Sequence, residues 1–170
     1  RLSEQKGLTY LIEAMSLVTN PSVSLFIVGD GELRNDLINQ TKELALEKRI
    51  HFLGYRSDVV ECINSFDFLV SSSLYEGLAL NVIEAFMNEK TMVATDIPGI
   101  NEIVNASNGI IVPVKDPKAM AQAIEQLAED PERRAFLAAQ AKKDYESKYS
   151  YSIFLDNYRH FYQSMRKGSK

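Results

Sequence analysis

The sequence predicts an α/β fold in which a parallel β-sheet carries helices on both faces. Short apolar segments typical of strands alternate with amphipathic segments typical of helices along the first two thirds of the chain. The strand segments are apolar at consecutive positions, as strands buried on both faces must be. Such a sheet binds ligands beyond the carboxyl ends of its strands. With 170 residues and 45% apolar content, residues 1–170 are predicted to form one domain.

The individual elements follow from apolar spacing and from the residues that interrupt it. Strands are predicted at Val23–Val28, Ile50–Leu53, Phe66–Val70, Met92–Thr95 and Gly109–Val112. Helices are predicted over 8–18, around 33–46, over 59–64 and over 81–88, the first ended by Asn20-Pro21. After Pro113 the chain is predicted to be helical, with helices starting at Asp116-Pro117, at Asp130-Pro131 (to about Lys148) and at Ser150.

Composition excludes several classes of protein. A net charge of −4 does not suit a protein that coats nucleic acid, which needs a cationic surface. The single cysteine, Cys62, has no internal disulfide partner, and no Cys/His cluster has the spacing of a zinc site. No apolar run approaches the roughly 20 residues that span a bilayer. We therefore expect a cytoplasmic protein that binds neither nucleic acid nor a structural metal.

Two glutamates stand out at a predicted loop-to-helix junction. Glu76 and Glu84 have seven residues between them, the first is followed by Gly77 and the second by Ala85, and an apolar strand precedes them. Arg1-Leu2 and Lys6-Gly7 begin the chain. Further short motifs are Gly29-Asp30-Gly31, Phe52-Leu53-Gly54, Ala94-Thr95-Asp96 and Asn108-Gly109. In type, order and approximate spacing these motifs resemble the retaining glycosyltransferases of family 4, and the resemblance covers nearly the whole chain.

The resemblance implies a GT-B fold, in which two Rossmann-like domains face each other, and it makes this chain the carboxyl-terminal, donor-binding half. The donor would be a UDP- or GDP-sugar, bound without a metal ion. A missing amino-terminal domain would bind the glycan or lipid acceptor and could hold the enzyme at the inner face of the membrane. In the family a central first strand lies directly before the Arg-Leu pair, so the sheet of this chain is expected to lack that strand.

The resemblance also assigns roles to residues. Arg1 and Lys6 would be the cations that stabilise the departing diphosphate, where negative charge develops. The backbone at Gly77, Leu78, Ala79 and Leu80 would add N–H donors and the positive end of a helix dipole. Both cations also fit ordinary solvated residues at a helix start.

Glu84 would accept hydrogen bonds from the ribose hydroxyls, and Glu76 would lie near the transferred sugar. An ionised carboxylate suits a diol because its two oxygens only accept hydrogen bonds. For Glu84 the alternative is an exposed helix residue, and for Glu76 it is a solvated loop residue.

Other candidate contacts depend on weaker patterns. Gly29 and Gly31 would bring a loop close to the ligand or would serve only as turn glycines. The backbone near Tyr55 and Arg56 would frame the base or belong to an exposed loop. Ser71–Ser73 are better interpreted as turn residues than as phosphate donors.

The chain departs from the family pattern at two loops. Glu89 and Thr91 stand where family members often have Gly and Pro, and Pro98 stands where a first Gly is common. Near the carboxyl terminus an aromatic stripe either packs on this domain or meets the missing one. Its residues are Tyr151, Phe154, Leu155, Tyr158, Phe161, Tyr162 and Met165.

Two other functions remain open from the sequence. One is a binding module that keeps the nucleotide-sugar pocket without chemistry, and the other is half of a nucleotide-sugar epimerase. For the transferase, clamp-like cations without an obvious nucleophile favour a front-side substitution in which the leaving phosphate helps to take the acceptor proton.

Overall fold

A computed structural model describes residues 1–167, without the side chains of residues 164, 166 and 167, and it has the predicted α/β architecture. Residues 168–170 of the predicted domain lie outside the described residues. The strands are β1 Leu25–Val28, β2 Ile50–Gly54, β3 Leu69–Ser71, β4 Met92–Thr95 and β5 Ile110–Val112. The helices are α1 Leu8–Leu17, α2 Arg34–Glu43, α3 Val59–Ser65, α4 Leu80–Met87, α5 Pro117–Glu129, α6 Pro131–Asp144 and α7 Tyr151–Lys167. A 3₁₀ turn, Glu4–Lys6, precedes α1.

The starts of α5 and α6 are confirmed at their predicted Asp-Pro pairs. Asp116 accepts a hydrogen bond from the amide of Ala119, and Asp130 accepts one from the amide of Arg133. Each aspartate thereby caps its helix, with the proline in the first turn. Helix α6 ends at Asp144, earlier than predicted, because a π-helical turn, Tyr145–Tyr149, joins it to α7.

All strand pairs are parallel, as predicted, but the strands form two sheets and not one. One sheet pairs β1 with β2, and the other has the order β3-β4-β5. The parallel arrangement is as predicted, and the sheet is interrupted within the described chain. The interruption lies between β1 and β3, and each of these strands has one edge without a strand partner among the described residues.

Helices cover both faces of the three-stranded sheet, and a hydrophobic cluster lies on each face. In β4, Val93 packs into a cluster with α1 and α5, whereas Met92 and Ala94 pack into a second cluster with α4. All four residues of β4 are buried, as their unbroken apolar sequence predicts.

A cavity of about 700 Å³ extends between the edges of β1 and β3. Both strands line it, and α1, α3 and α5 contribute apolar side chains to its walls. The apolar wall residues of these helices are Leu8, Leu11, Met15, Val59, Cys62, Ile63, Ile124 and Ala128. A central strand of a parallel sheet lies between two other strands and is covered by apolar helix faces, and this cavity is surrounded in the same way. This agrees with the expectation that the sheet lacks one.

Most of the aromatic stripe on α7 is exposed in this domain. Tyr151, Phe154, Tyr158, Phe161 and Tyr162 are each more than half exposed, and Leu155 is half-buried. Successive rings contact one another along the helix, as in the pair Phe154–Tyr158 with centroids 5.0 Å apart. The alternative that the stripe packs on its own domain is therefore wrong for most of its residues.

A strand added before Arg1 is expected to join the two sheets. A parallel strand between β1 and β3 would end at their carboxyl edge, where the amide of Leu2 donates to the carbonyl of Asp30. We predict that an amino-terminal extension of about six β-branched residues raises the unfolding temperature and slows amide exchange in β1 and β3. The same extension with prolines at alternate positions cannot donate these hydrogen bonds and should do neither. Unchanged exchange in both strands would contradict the prediction.

Glu89 adopts a left-handed conformation with φ of 53°, at the position where the family often has glycine. Here the helix α4 ends, and the amide of Lys90 turns back to the carbonyl of Ala85. We predict that Glu89→Gly stabilises the fold by about 1 kcal/mol, because glycine adopts this conformation without steric strain. Asn88→Gly, at the neighbouring residue with φ of −94°, should destabilise it. Chemical unfolding of both variants measures this, and equal effects would refute the explanation.

Candidate functional site

The candidate site lies at the carboxyl edge of the strands, where the cavity opens. Arg1 and Lys6 from the start of the chain, Tyr55 after β2, and Asn81 and Glu84 from α4 line this end of the cavity. Parallel strands bring these segments together because their carboxyl ends share one edge. The site therefore combines two cations with a carboxylate.

The segment Leu2–Gly7 crosses the interruption between the two sheets at this edge. On the β1 side, the amide of Leu2 donates to the carbonyl of Asp30, and its carbonyl accepts from the amide of Leu33. On the β3 side, the amide of Leu74 donates to the carbonyl of Gln5, and the Ser72 hydroxyl donates to the carbonyl of Lys6. The segment Leu2–Gly7 is thus hydrogen-bonded to both sides of the interruption.

Glu76 is the most tightly held polar side chain of the site. Its side chain is 7% exposed. Lys6 donates to its Oε1 at 2.5 Å, Ser73 donates to the same oxygen at 2.8 Å, and Gln5 donates to Oε2 at 3.2 Å. The alternative of a solvated loop residue is therefore wrong for Glu76, and the structure joins the predicted pair Lys6 and Glu76 directly.

Ser71 ends β3 and Ser72 and Ser73 follow it, and all three hydroxyls bond within the protein. Ser72 binds the carbonyl of Lys6, Ser73 binds Glu76, and the hydroxyl of Ser71 faces that of Ser73 at 3.4 Å. Thr95 donates to the carbonyl of Ser73 at 2.6 Å and ties this loop to the end of β4. The hydroxyls shape the loop that carries Glu76.

Arg1 is the second cation at this edge, and it is largely exposed. Its side chain is 76% exposed, and its Nε lies 3.5 Å from a carboxylate oxygen of Glu32. A pair this exposed contributes little to stability, so the guanidinium can exchange its partner at small cost.

The loop from Gly77 to Leu80 begins α4 without a side-chain cap. The amide of Leu80 donates to the carbonyl of Leu78 at 2.9 Å, so this predicted anion donor already has an acceptor. Gly77 packs beside the next loop, since a Cβ on Gly99 would lie 3.3 Å from the carbonyl of Gly77. The predicted backbone donors are therefore reduced to the residues before Leu80.

Glu84 is exposed on α4 and lines the cavity beside Asn81. Its backbone carbonyl accepts from the side-chain amide of Asn88. Glu84 and Lys6 line the same cavity. Glu76 does not line it but is hydrogen-bonded to Lys6, which does. Asn81 is a further polar residue of the site that the sequence did not single out.

The two glycines after β1 differ in role. Gly29 lines the cavity, has φ of 123° and approaches the amino group of Arg1. Gly31 does not line the cavity, and a Cβ there would lie 2.4 Å from the carbonyl of Leu2. The backbone of Leu2 occupies the space that a side chain at Gly31 would need, so Gly31 fits the turn interpretation.

Tyr55 and Arg56 lie at the outer rim. Tyr55 is 81% exposed and lines the cavity. The Arg56 guanidinium donates to both carboxylate oxygens of Asp58. This hydrogen bonding lowers the pKa of Asp58 and raises that of Arg56. Arg56 is therefore held by Asp58, whereas Tyr55 is exposed.

Within residues 1–167, no cluster of three or more His, Cys, Asp or Glu side chains has the arrangement of a metal site. In the same part of the chain, no helix combines the length and the apolar character needed to cross a bilayer.

Comparison with protein families gives a match over most of the chain. The family described as Glycosyl transferases group 1 matches residues 1–144. An alpha-D-kanosaminyltransferase of Streptomyces kanamyceticus is 31% identical over 170 residues, covering 97% of this chain and 44% of that protein. The lipopolysaccharide core biosynthesis glycosyltransferase LpsE of Rhizobium meliloti is 30% identical over 159 residues, covering 93% and 46%. This chain spans less than half the length of these relatives.

Solved structures give the same result. The crystal structure of HepE of Anabaena in complex with UDP matches with a TM-score of 0.92 at 26% identity, over 96% of this chain and 47% of that one. A S. aureus TarM mutant in complex with Fondaparinux, alpha-GlcNAc-glycerol and UDP matches with a TM-score of 0.89 at 28% identity, over 94% and 33%. The fold is that of the C-terminal domains of GT-B glycosyltransferases, including the C-terminal helices. The chain therefore belongs to the glycosyl transferases group 1 family.

Proposed function

We propose that this chain is the donor-binding C-terminal half of a retaining glycosyltransferase of family 4, which binds a UDP- or GDP-sugar at the carboxyl edge of its strands. The observation that carries the proposal is that Arg1, Lys6 and Glu84 all line one cavity. Cations and a carboxylate acceptor in one cavity match the two polar parts of a nucleoside diphosphate, its phosphates and its ribose. The UDP complexes of the structural neighbours support uridine as the nucleoside.

Arg1 and Lys6 would bind the diphosphate, with the backbone at Gly77, Leu78 and Ala79 adding N–H donors. When the sugar leaves, negative charge grows on the phosphate, and cations already in place stabilise it. These groups can do the work of a metal ion, so we propose that the donor site needs none.

Glu84 would accept the two ribose hydroxyls, and Glu76 would face the transferred sugar. Glu84 is exposed on α4 and lines the cavity, so its carboxylate is accessible to a ligand. Glu76 lies deeper, where Lys6 bonds it, so a sugar attached to the diphosphate would reach it.

The acceptor site would lie in an amino-terminal domain. The relatives are more than twice as long as this chain, and the aromatic stripe of α7 is exposed. A second domain against α7 would cover that stripe and close the cleft over the donor. It would bind a glycan or lipid acceptor, and the enzyme would act in the cytoplasm or at the inner face of the membrane. The isolated chain would then bind the donor without transferring sugar.

The reaction would be a front-side substitution. The bond between the anomeric carbon and the phosphate oxygen breaks, the acceptor oxygen bonds to the same face of that carbon, and the acceptor proton passes to the leaving phosphate. Lys6 and Arg1 would stabilise the charge that the phosphate gains. The transferases among the relatives favour this reaction over a non-catalytic module or an epimerase half.

Calorimetry of the 170-residue chain with UDP tests the donor site. We predict that Glu84→Gln weakens UDP binding roughly tenfold, because each ribose hydroxyl loses a charged acceptor. Glu13→Gln, in an exposed position on α1, is the matched control and should bind as the unaltered chain does. A chelator should leave the affinity unchanged. Equal binding by the Glu84 variant would remove the ribose assignment, and no binding by any form would refute the donor site.

The stereochemistry of transfer tests the mechanism. We predict that the full-length enzyme forms a glycosidic bond with the anomeric configuration of its donor, because substitution occurs on the face that the phosphate leaves. Nuclear magnetic resonance of the first product, before it can equilibrate, measures the configuration. An inverted product would rule out front-side substitution.

A further inference from the structure

Gln5 makes contacts that neither the sequence motifs nor the proposed catalytic roles explain. Its side-chain amide donates both to the carbonyl of Tyr75, at 3.0 Å, and to Oε2 of Glu76, at 3.2 Å. Its own carbonyl accepts from the amide of Leu74 at 2.8 Å. Gln5 is therefore bonded to the loop that carries Glu76 through both its backbone and its side chain, across some 70 residues of sequence.

The donors to Glu76 divide by charge and by oxygen. Oε1 accepts from the Lys6 ammonium and from the Ser73 hydroxyl, whereas Oε2 accepts from the neutral amide of Gln5. Of these, only Lys6 lines the cavity mouth and carries a charge that a diphosphate attracts. A diphosphate at this mouth would draw Lys6 away from Glu76.

A carboxylate that is 7% exposed cannot lose its partners without a large cost, because a buried charge needs hydrogen bonds. When Lys6 turns to the phosphate, Gln5 and Ser73 would remain as the donors to Glu76. Neither of them carries a charge, so neither would compete with Lys6 for the diphosphate. Ser73 belongs to the same loop as Glu76, whereas Gln5 holds that loop from the turn before α1.

We propose that Gln5 is a positioning residue, which keeps the Glu76 carboxylate oriented toward the transferred sugar while Lys6 passes from Glu76 to the donor diphosphate. This inference rests on the proposed donor site and adds to it a residue that contacts neither the nucleotide nor the sugar. In this proposal, recognition of the phosphates and recognition of the sugar depend on different residues. Lys6 responds to the phosphates, and Gln5 maintains the group that recognises the sugar.

Calorimetry with UDP and with UDP-glucose separates positioning from a general structural role. Gln5→Ala should raise the ratio of the UDP-glucose Kd to the UDP Kd about tenfold, because only the sugar contact depends on the orientation of Glu76. Gln122→Ala, at an exposed position on α5, should leave the ratio unchanged. A Gln5→Ala variant that binds both ligands as before, or that loses both to the same degree, would overturn the proposal.

A charged substitution gives a second readout. Gln5→Glu places a carboxylate against Glu76, and near neutral pH it should raise the same ratio more than Gln5→Ala does. A ratio no higher than that of Gln5→Ala would count against positioning.

A double-mutant cycle tests the contact without any nucleotide. The unfolding temperatures of Gln5→Ala, Glu76→Ala and the double variant should be non-additive, because both single changes remove the same hydrogen bond. Additive shifts would overturn the inference even if UDP binds well. If the chain binds neither UDP nor UDP-glucose but the cycle is non-additive, the donor site fails and with it the sugar-orienting role, while the contact itself stands.

Discussion

The geometry of the site depends on the hydrogen bonds that the segment Leu2–Gly7 makes to both sheets. No strand pairing joins β1 to β3 in the described residues, so this segment holds their carboxyl ends together. Two glycines allow this segment to pack closely against the rest of the chain. A Cβ on Gly7, within the segment, would lie 2.2 Å from the carbonyl of Ser72, and a Cβ on Gly31 would lie 2.4 Å from the carbonyl of Leu2. Because the same segment carries Lys6, a change in this crossing alters both the fold and the site.

The order and type of the elements were predictable from the sequence because strands that are buried on both faces are apolar at consecutive positions. It predicted their extent less well. β3 was expected over Phe66–Val70 and is observed over Leu69–Ser71. The extent of a strand is set by its hydrogen-bonding partner, and β3 pairs only with β4, from Leu69 onward. For the same reason, composition alone did not show that the strands divide into two sheets. That division depends on which strand lies beside which.

The site was predictable where charge and motif coincide, as for Lys6 and Glu76, which the structure brings into contact. Gln5 was not predictable, because its role arises from hydrogen bonds to residues 70 and 71 positions away and leaves no local pattern. Leu80 was assigned a backbone donor that its own turn uses, which only the path of the loop reveals. Residues that act through tertiary contacts are thus the ones that sequence reasoning misses.

Both Arg1 and Lys6 are paired with carboxylates, but the two pairs differ in how readily a diphosphate can replace the carboxylate. The pair Arg1–Glu32 is exposed on both sides, so solvent screens it and either partner can leave at little cost. The pair Lys6–Glu76 has a nearly buried carboxylate, whose isolation would be costly. Gln5 and Ser73 remove that cost because they satisfy Glu76 when Lys6 departs. A cation can therefore be released to an anionic ligand from a buried pair, provided that neutral donors retain the carboxylate.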